Sequence, residues 1–452
     1  MKRFLILALL VLSLPIAAWA QGAPMAASNG SVTDLGSLAN YGSIAYAVSA
    51  KGDVVVGASI ADVPQHYWRA FRWTAAGGMQ DLDSSPQDSA TADAYGISAD
   101  GNVIVGIYGH YPDCNPGCAF QWTTFGGFQW LPNVPGGWYS PTPTGVSKDG
   151  GVIVGWAHQS YGGPDHAWRW TGLTGFVDLG ALPNSCCGSQ ALAVSEDGTV
   201  VVGYSYDANM QVHAFRWTQK SGLQDLGFLP GGNYSNASGA STNGNVVVGY
   251  AVTTVNCPVG LSSCNVPFRW TKATGMVPLG LLPGDWWTVT TGVSADGKTV
   301  VGYDSQNCCN WVPWRWTQTT GKQSISDWLA AVGVDATAFT FYSAYAVNAN
   351  GYGVVGQLTT GDAYLALATS NKTGMPTFSP KPGTYHGSVS VTLSHTSPNA
   401  SIYYTTDGST PTKNSTPYTA PIQVTVTTTI KAIAIVPGYP QSKVATGKYT
   451  IK

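Results

Sequence analysis

Nothing constrains the fold of this chain more than its internal repeat. A tryptophan recurs at Trp73, Trp122, Trp170, Trp217, Trp270 and Trp316, 46 to 53 residues apart. A turn glycine keeps step with it at Gly52, Gly101, Gly150, Gly198, Gly244, Gly297 and Gly351. The full unit is two strand pairs. One reads His213-Ala214-Phe215-Arg216-Trp217-Thr218, a short turn ending in Gly222, then Leu223 to Gly227. The other reads Ala237 to Ser241, the turn Thr242-Asn243-Gly244, then Val246 to Tyr250. Four short β-rich strands cannot bury both faces alone, so neighbouring units must stack on one another.

Seven glycine-bearing pairs stand against six tryptophan-bearing pairs. The N-terminal unit, Thr33 to Gly57, lacks its Trp strand. The missing strand stands at the other end, where Asp362 to Leu367 aligns with His213 to Thr218 and puts Ala366 in place of Trp. One sheet shared between the two ends of the repeat accounts for both facts. The expected fold is all-β: a seven-bladed β-propeller over residues 31–369, closed by that shared blade, then a linker at 370–375 and a small immunoglobulin-like β-sandwich at 376–452. An open β-solenoid is the alternative; it would need capping units, and the split unit argues against them.

These units resemble the extracellular HAF repeat family, named for the His-Ala-Phe that stands here at His213-Ala214-Phe215 and as His166-Ala167-Trp168. The resemblance implies export and says little about activity. Other units open with Arg69-Ala70-Phe71, Cys118-Ala119-Phe120, Pro267-Phe268 and Pro313-Trp314, so the leading His is not a repeated ligand.

Residues 1–20 read as a secretory signal peptide, with Lys2 and Arg3, an apolar run from Phe4 to Leu14, and Ala18-Trp19-Ala20 before a cut at Gln21. An uncleaved anchor is the alternative, although the run is shorter than the ~20 residues a span needs. The mature protein is expected to be secreted or periplasmic, with no later membrane span. Eight Cys in an exported chain suggest disulfides. Cys114 and Cys118 can close a small loop, as can Cys257 and Cys264. Cys186-Cys187 and Cys308-Cys309 are adjacent, and either form strained vicinal bonds, pair elsewhere or stay free. No Cys pair has a His or second Cys pair at zinc spacing, so no metal is expected, and no Gly-rich phosphate loop opens a helix, so no cofactor is expected. A net charge of -2 with only 10% charged residues gives no electrostatic footprint for nucleic acid.

Side chains alternate along Phe215-Arg216-Trp217, so Phe and Trp share a face and should pack between blades. The intervening Arg72, Arg169, Arg216, Arg269 and Arg315 recur too regularly to be a ligand clamp and read as structural. Asp100, Asp149, Asp197 and Asp296 sit in Ser-x-Asp-Gly turns, where Asp bonds nearby backbone N–H groups. The acids left over from the repeat include Asp113, Asp165, Asp207, Asp285 and Asp304, in loops where a site could assemble in three dimensions. None forms a pair that spacing singles out for glycoside hydrolysis. No catalytic residue is therefore assigned, and His166 reads as a repeat-start residue.

In a four-stranded blade the second-to-third loop and the blade-to-blade loop emerge on one face, and here they carry all eight Cys. They also carry Trp138, Tyr139, Tyr161, Trp286, Trp287 and Trp311, which are the candidate ligand-binding residues, because flat rings stack on the apolar faces of sugars. After Gly374, the stretch Ile402 to Thr412, with Tyr418, Pro421-Ile422 and Ile430 to Ala434, resembles the chitobiase/β-hexosaminidase C-terminal domain, a glycoside hydrolase family 29D-like β-sandwich. That resemblance implies an accessory role on an exported protein. The function expected is non-catalytic binding or adhesion, with an extracellular or cell-wall glycan as partner. A carbohydrate-active hydrolase or lyase with its site on the loop face is the alternative.

Overall fold

A computed structural model describes residues 30–452 except 62–66, 83–90, 110–118, 161–162, 259, 308–309, 369–371 and 438. The leader, Tyr161, Asp113, Cys114, Cys118, Cys308 and Cys309 lie outside the described residues.

Each repeat folds into a four-stranded antiparallel sheet, and the described residues form seven such sheets. The first is Ser43–Val48, Val54–Ile60, Trp68–Thr74 and Gly78–Asp81. The second to sixth span 92–130, 139–180, 189–225, 235–278 and 287–324. In the seventh, Phe341–Val347, Gly353–Leu358 and Ala363–Ala368 are completed by the N-terminal strand Gly30–Asp34, which runs antiparallel to Ala363–Ala368 with Val32 opposite Ala366. The innermost strand of the first sheet packs against that of the seventh as it does against that of the second. Ser43 ties the two ends together, donating its Oγ to Gly36 O and accepting from Ala363 N at 2.8 Å.

The recurring residues form the joints between sheets. The turn serine accepts from a strand N–H while the turn aspartate accepts from the serine hydroxyl, as in Ser98 and Asp100 at 2.6 Å. Successive turns bond one another: Ala50 N to Ala99 O, Ala99 N to Lys148 O, Lys148 N to Glu196 O, Thr242 N to Ala295 O, Ala295 N to Ala349 O. The repeated arginine reaches across to the next sheet's turn glycine, with Arg216 Nε 3.0 Å from Gly244 O and Arg269 Nε 3.1 Å from Gly297 O. Glycine is required there, because Gly244 has φ +62° and a Cβ would stand 2.4 Å from Val200 Cβ.

Packing refines the sequence expectation about the aromatics. The residue two before the repeat Trp is the deepest: Phe71, Phe120, Trp168, Phe215, Phe268 and Trp314 are wholly buried. Of the repeat tryptophans Trp73 is buried, whereas Trp122, Trp170, Trp217, Trp270 and Trp316 are half-buried and cover the joint from its edge. The His of the unit is structural: His213 Nδ1 lies 2.9 Å from Asp225 Oδ2 and His166 Nδ1 lies 3.1 Å from Asp178.

Among the described residues one element departs from the all-β expectation. The helix Ile325–Val332 fills the connection from the sixth to the seventh sheet. Ser324 caps it by accepting from Asp327 N, and Gly333 ends it at φ 81°. Its buried residues Trp328, Leu329 and Val332 share a core with Val436 and Tyr439 of the C-terminal domain. Tyr439 Oη donates to Gln323 Oε1 at 2.5 Å, and Thr396 Oγ1 to Ala330 O at 2.6 Å. That domain packs a three-stranded sheet on a five-stranded one around Val391, Leu393, Ile430, Ala432 and Tyr449.

Candidate binding site

The innermost strand of every sheet carries a β-bulge at the same place. The register slips at Tyr46, Tyr95, Thr144, Leu192, Ser238, Thr291 and Tyr345. A bulge leaves one residue unpaired and re-aims its side chain. All seven of these side chains line one cavity of about 450 Å³, which therefore lies on the axis about which the sheets are arranged.

A second aligned position stands on the neighbouring strand, just after the strand glycine. The two positions complement each other. Where the bulge residue is not aromatic, the second position is: Thr144 with Trp156, Leu192 with Tyr204, Ser238 with Tyr250, Thr291 with Tyr303. Where the bulge residue is Tyr, the second position holds Ala58, Ile107 or Gln357. Every sheet thus carries one large ring at one of the two positions, and those of the first, second, third, fifth and seventh sheets line the cavity. On the first, second and seventh sheets the rings protrude, with Tyr46 centred 5.3 Å from Tyr95 and 5.5 Å from Tyr345. On the third to sixth they are recessed behind Thr, Leu or Ser.

The remaining lining is Thr142, Asn236, Val289 and Thr290. No charged side chain is among the residues that line the cavity. Asp93 stands behind Tyr95 as its hydrogen-bond partner. Burial first, and Asp93 second, push the Tyr46 and Tyr95 hydroxyls far above the ordinary tyrosine value, as burial does for Tyr250. All three therefore stay protonated donors at any physiological pH. Asn236 is 6% exposed, and neither its Oδ1 nor Ser238 Oγ has a hydrogen-bond partner.

The rings continue out of the cavity. Tyr345 meets Tyr303 at 5.7 Å, Tyr303 meets Trp311 at 5.4 Å, and Trp311 meets Trp287 at 5.5 Å and Tyr342 at 6.1 Å. Trp287 and Trp311 of the sequence candidates are thus brought together. Trp286 stands apart, 46% exposed. Trp138 turns its edge onto His166 at 5.4 Å, and Tyr139 opens a strand opposite His158. Sequence reasoning missed Tyr46, Tyr95, Tyr250 and Tyr345. The available signal was one ring per repeat at either of two aligned positions.

Of the acids singled out from the sequence, Asp165 and Asp207 have separate partners, while Asp285 and Asp304 both stand at Lys322. Asp165 Oδ1 lies 2.5 Å from His158 Nδ1, and Gln190 donates to its other oxygen. Asp207 caps a turn through Asn209 N and Gln211 N. Asp304 pairs with Lys322 at 2.5 Å beside Asp285, all three buried. Asp407 accepts from Ser409 N, as turn chemistry requires. Cys257 and Cys264 form a disulfide. The sulfurs of Cys186 and Cys187 stand 2.6 Å apart, longer than a disulfide bond and shorter than an ordinary contact between two thiols. Among the described residues no group of three or more His, Cys, Asp or Glu could hold a metal. None of their helices is long and apolar enough to cross a membrane.

Residues 380–446 match the chitobiase/β-hexosaminidase C-terminal domain. No curated protein is similar to the chain in sequence. Among solved structures it is similar to TolB from Acinetobacter baumannii, at 15% identity and TM-score 0.39 over 61% of each chain. It is also similar to a TolB from Agrobacterium tumefaciens, at 14% identity and TM-score 0.38, over 54% of this chain and 83% of that one. A prolyl endopeptidase aligns at 10% identity and TM-score 0.47, over 87% of this chain and 54% of its own. At such values the likeness carries no information on ligand or activity.

Proposed function

We infer that this is an exported, non-catalytic binding protein whose partner is an extracellular or cell-wall glycan. The observation that carries the reading is the axial cavity, walled by aromatic rings and by neutral hydroxyl and amide groups. A sugar offers apolar ring faces bordered by hydroxyls, and such a wall complements both. The Trp287, Trp311 and Tyr342 cluster extends the same surface onto the loop face. The match of residues 380–446 to a domain named for chitobiase and β-hexosaminidase supports a polysaccharide partner. The leader-like N-terminus, the His-Ala-Phe repeats and the disulfide support export. The second reading, a hydrolase or lyase, draws on His158 and Asp165, which sit beside Trp156 of the cavity wall.

Incubating the mature, oxidised protein with insoluble chitin, cellulose and peptidoglycan separates the two. Depletion from solution with no released sugar is the expected result. Released sugar that disappears on Asp165→Asn establishes the enzyme instead. If the protein stays in solution with all three and releases nothing, glycan recognition is refuted and a protein partner takes its place.

A further inference from the structure

The cavity is not symmetric, and its asymmetry selects a ligand. With the sheets in sequence about the axis, the fifth lies across from the first and second. Asn236 and Ser238 therefore face the protruding Tyr46 and Tyr95 across the cavity. The space between them exists because Ser238 stands at the position that Tyr occupies on the opposite side, its sheet's ring being recessed to Tyr250.

Burying a polar atom without a hydrogen bond costs free energy, and folded proteins rarely tolerate it except where something else supplies the partner. Asn236 Oδ1 and Ser238 Oγ are two such atoms, on adjacent same-face positions of one strand. Other polar groups of this wall are satisfied within the protein: Thr290 Oγ1 donates to Gly249 O, and Thr291 Oγ1 to Ala344 O. Ser343 Oγ, at the aligned position of the seventh sheet, also lacks a partner, but Ser343 is not among the residues that line the cavity, whereas Asn236 and Ser238 are.

We propose that Asn236 and Ser238 are the polar recognition point of a pyranose subsite that takes a neutral sugar residue, its ring face against Tyr46 and Tyr95 and its hydroxyls on Asn236 Oδ1 and Ser238 Oγ. This assignment rests on the glycan-binding reading above. Neutrality follows from the lining: with no Lys or Arg among its residues, a uronic acid carboxylate would enter unpaired, which is strongly unfavourable. Asn236 Oδ1 can only accept, so it selects a hydroxyl donor, while Ser238 can donate or accept. A sugar hydroxyl pair fits both, whereas a purely apolar ligand would leave them open.

The test uses the mature, oxidised full chain and calorimetric titration with cellohexaose, chitohexaose, mannohexaose, xylohexaose and hexagalacturonate. At least one neutral oligosaccharide is expected to bind, and the galacturonate is not. Asn236→Leu, which keeps the volume and removes the acceptor, is expected to weaken binding about tenfold or more, and Ser238→Ala less so. Neither variant lowers the thermal midpoint of the ligand-free protein, because each removes a polar atom that has no partner there. That combination, weaker binding with equal or higher stability, is one that a structural role for Asn236 does not produce. If the wild type binds a neutral oligosaccharide and both variants bind it equally, the subsite is refuted while glycan binding stands, with its site on the loops or the sandwich. A lowered midpoint in both variants makes the two residues structural and refutes the subsite. Tighter binding of hexagalacturonate refutes neutrality. If no oligosaccharide binds and no polysaccharide depletes the protein, the glycan reading falls and the subsite with it.

Discussion

Replacing Lys322 with methionine keeps the side chain's length and removes its charge from the interior of the sixth sheet. Lys322 Nζ lies 2.5 Å from Asp304 Oδ2, with side chains 3% and 0% exposed, and stands 4.5 Å from the centre of the Trp314 ring. Burial lowers the lysine's pKa, while Asp304 and then Asp285 oppose the shift. In the variant Asp304 keeps one partner, the Thr288 hydroxyl at 2.5 Å, and Asp285 remains wholly buried nearby. Breaking a buried pair by removing one partner costs about 3–5 kcal/mol, because a buried charge is left without compensation. Replacing both partners, as Lys322→Met with Asp304→Asn, is expected to cost less than the single change, since the orphaned charge goes with its partner. Urea unfolding followed by tryptophan fluorescence measures both, provided the slope with denaturant is unchanged. A single-variant loss below about 1 kcal/mol is what an exposed pair yields, and would refute the reasoning.

Three further outcomes follow from the joints between sheets. Phe215→Ala empties a wholly buried site between the third and fourth sheets, packed against Val154, Leu179 and Val201, and is expected to cost about 3–5 kcal/mol in the same assay. Asp100 and Asp149 are held below the ordinary carboxylate pKa of 3.8, mainly by the Ser98 and Ser147 hydroxyls. A lowered folded pKa contributes stability that is present above 3.8 and is lost as pH falls through the folded value, so Asp100→Asn with Asp149→Asn should flatten the stability profile below pH 4. Tyr439→Phe removes the bond to Gln323 and is expected to cost about 1 kcal/mol. Hydrogen exchange should read it locally, as faster exchange of the Gly374 amide that bonds Ala331 O.

The helix Ile325–Val332 marks where local reading failed. Ser324, Asp327 and Gly333 are sufficient start and stop signals, but they sit in a connection that is a loop in the other repeats, and the repeat pattern overrode them. The loop-face candidates failed differently. Trp138 has the composition of a binding residue, yet it is committed to the His166 ring, and only the packing reveals the partner.

What the sequence determined by itself is whatever depends on near neighbours. Alternation along Phe215-Arg216-Trp217, the Ser-x-Asp-Gly turns and the unequal count of half-repeats are enough to specify four-stranded sheets and to pair Gly30–Asp34 with Ala363–Ala368. Seven copies of one local pattern leave little freedom. The cavity depends on distant residues. Tyr46, Tyr95 and Tyr345 lie on one strand of their sheets, and Trp156 and Tyr250 on another, so no linear spacing unites them. The bulges turn the first group inward, and stacking seven sheets about an axis brings both groups and the open Asn236 and Ser238 to one space. A side chain's direction at a bulge and its distance across an axis are set by the assembled sheets, which is why only the tertiary structure decided the site.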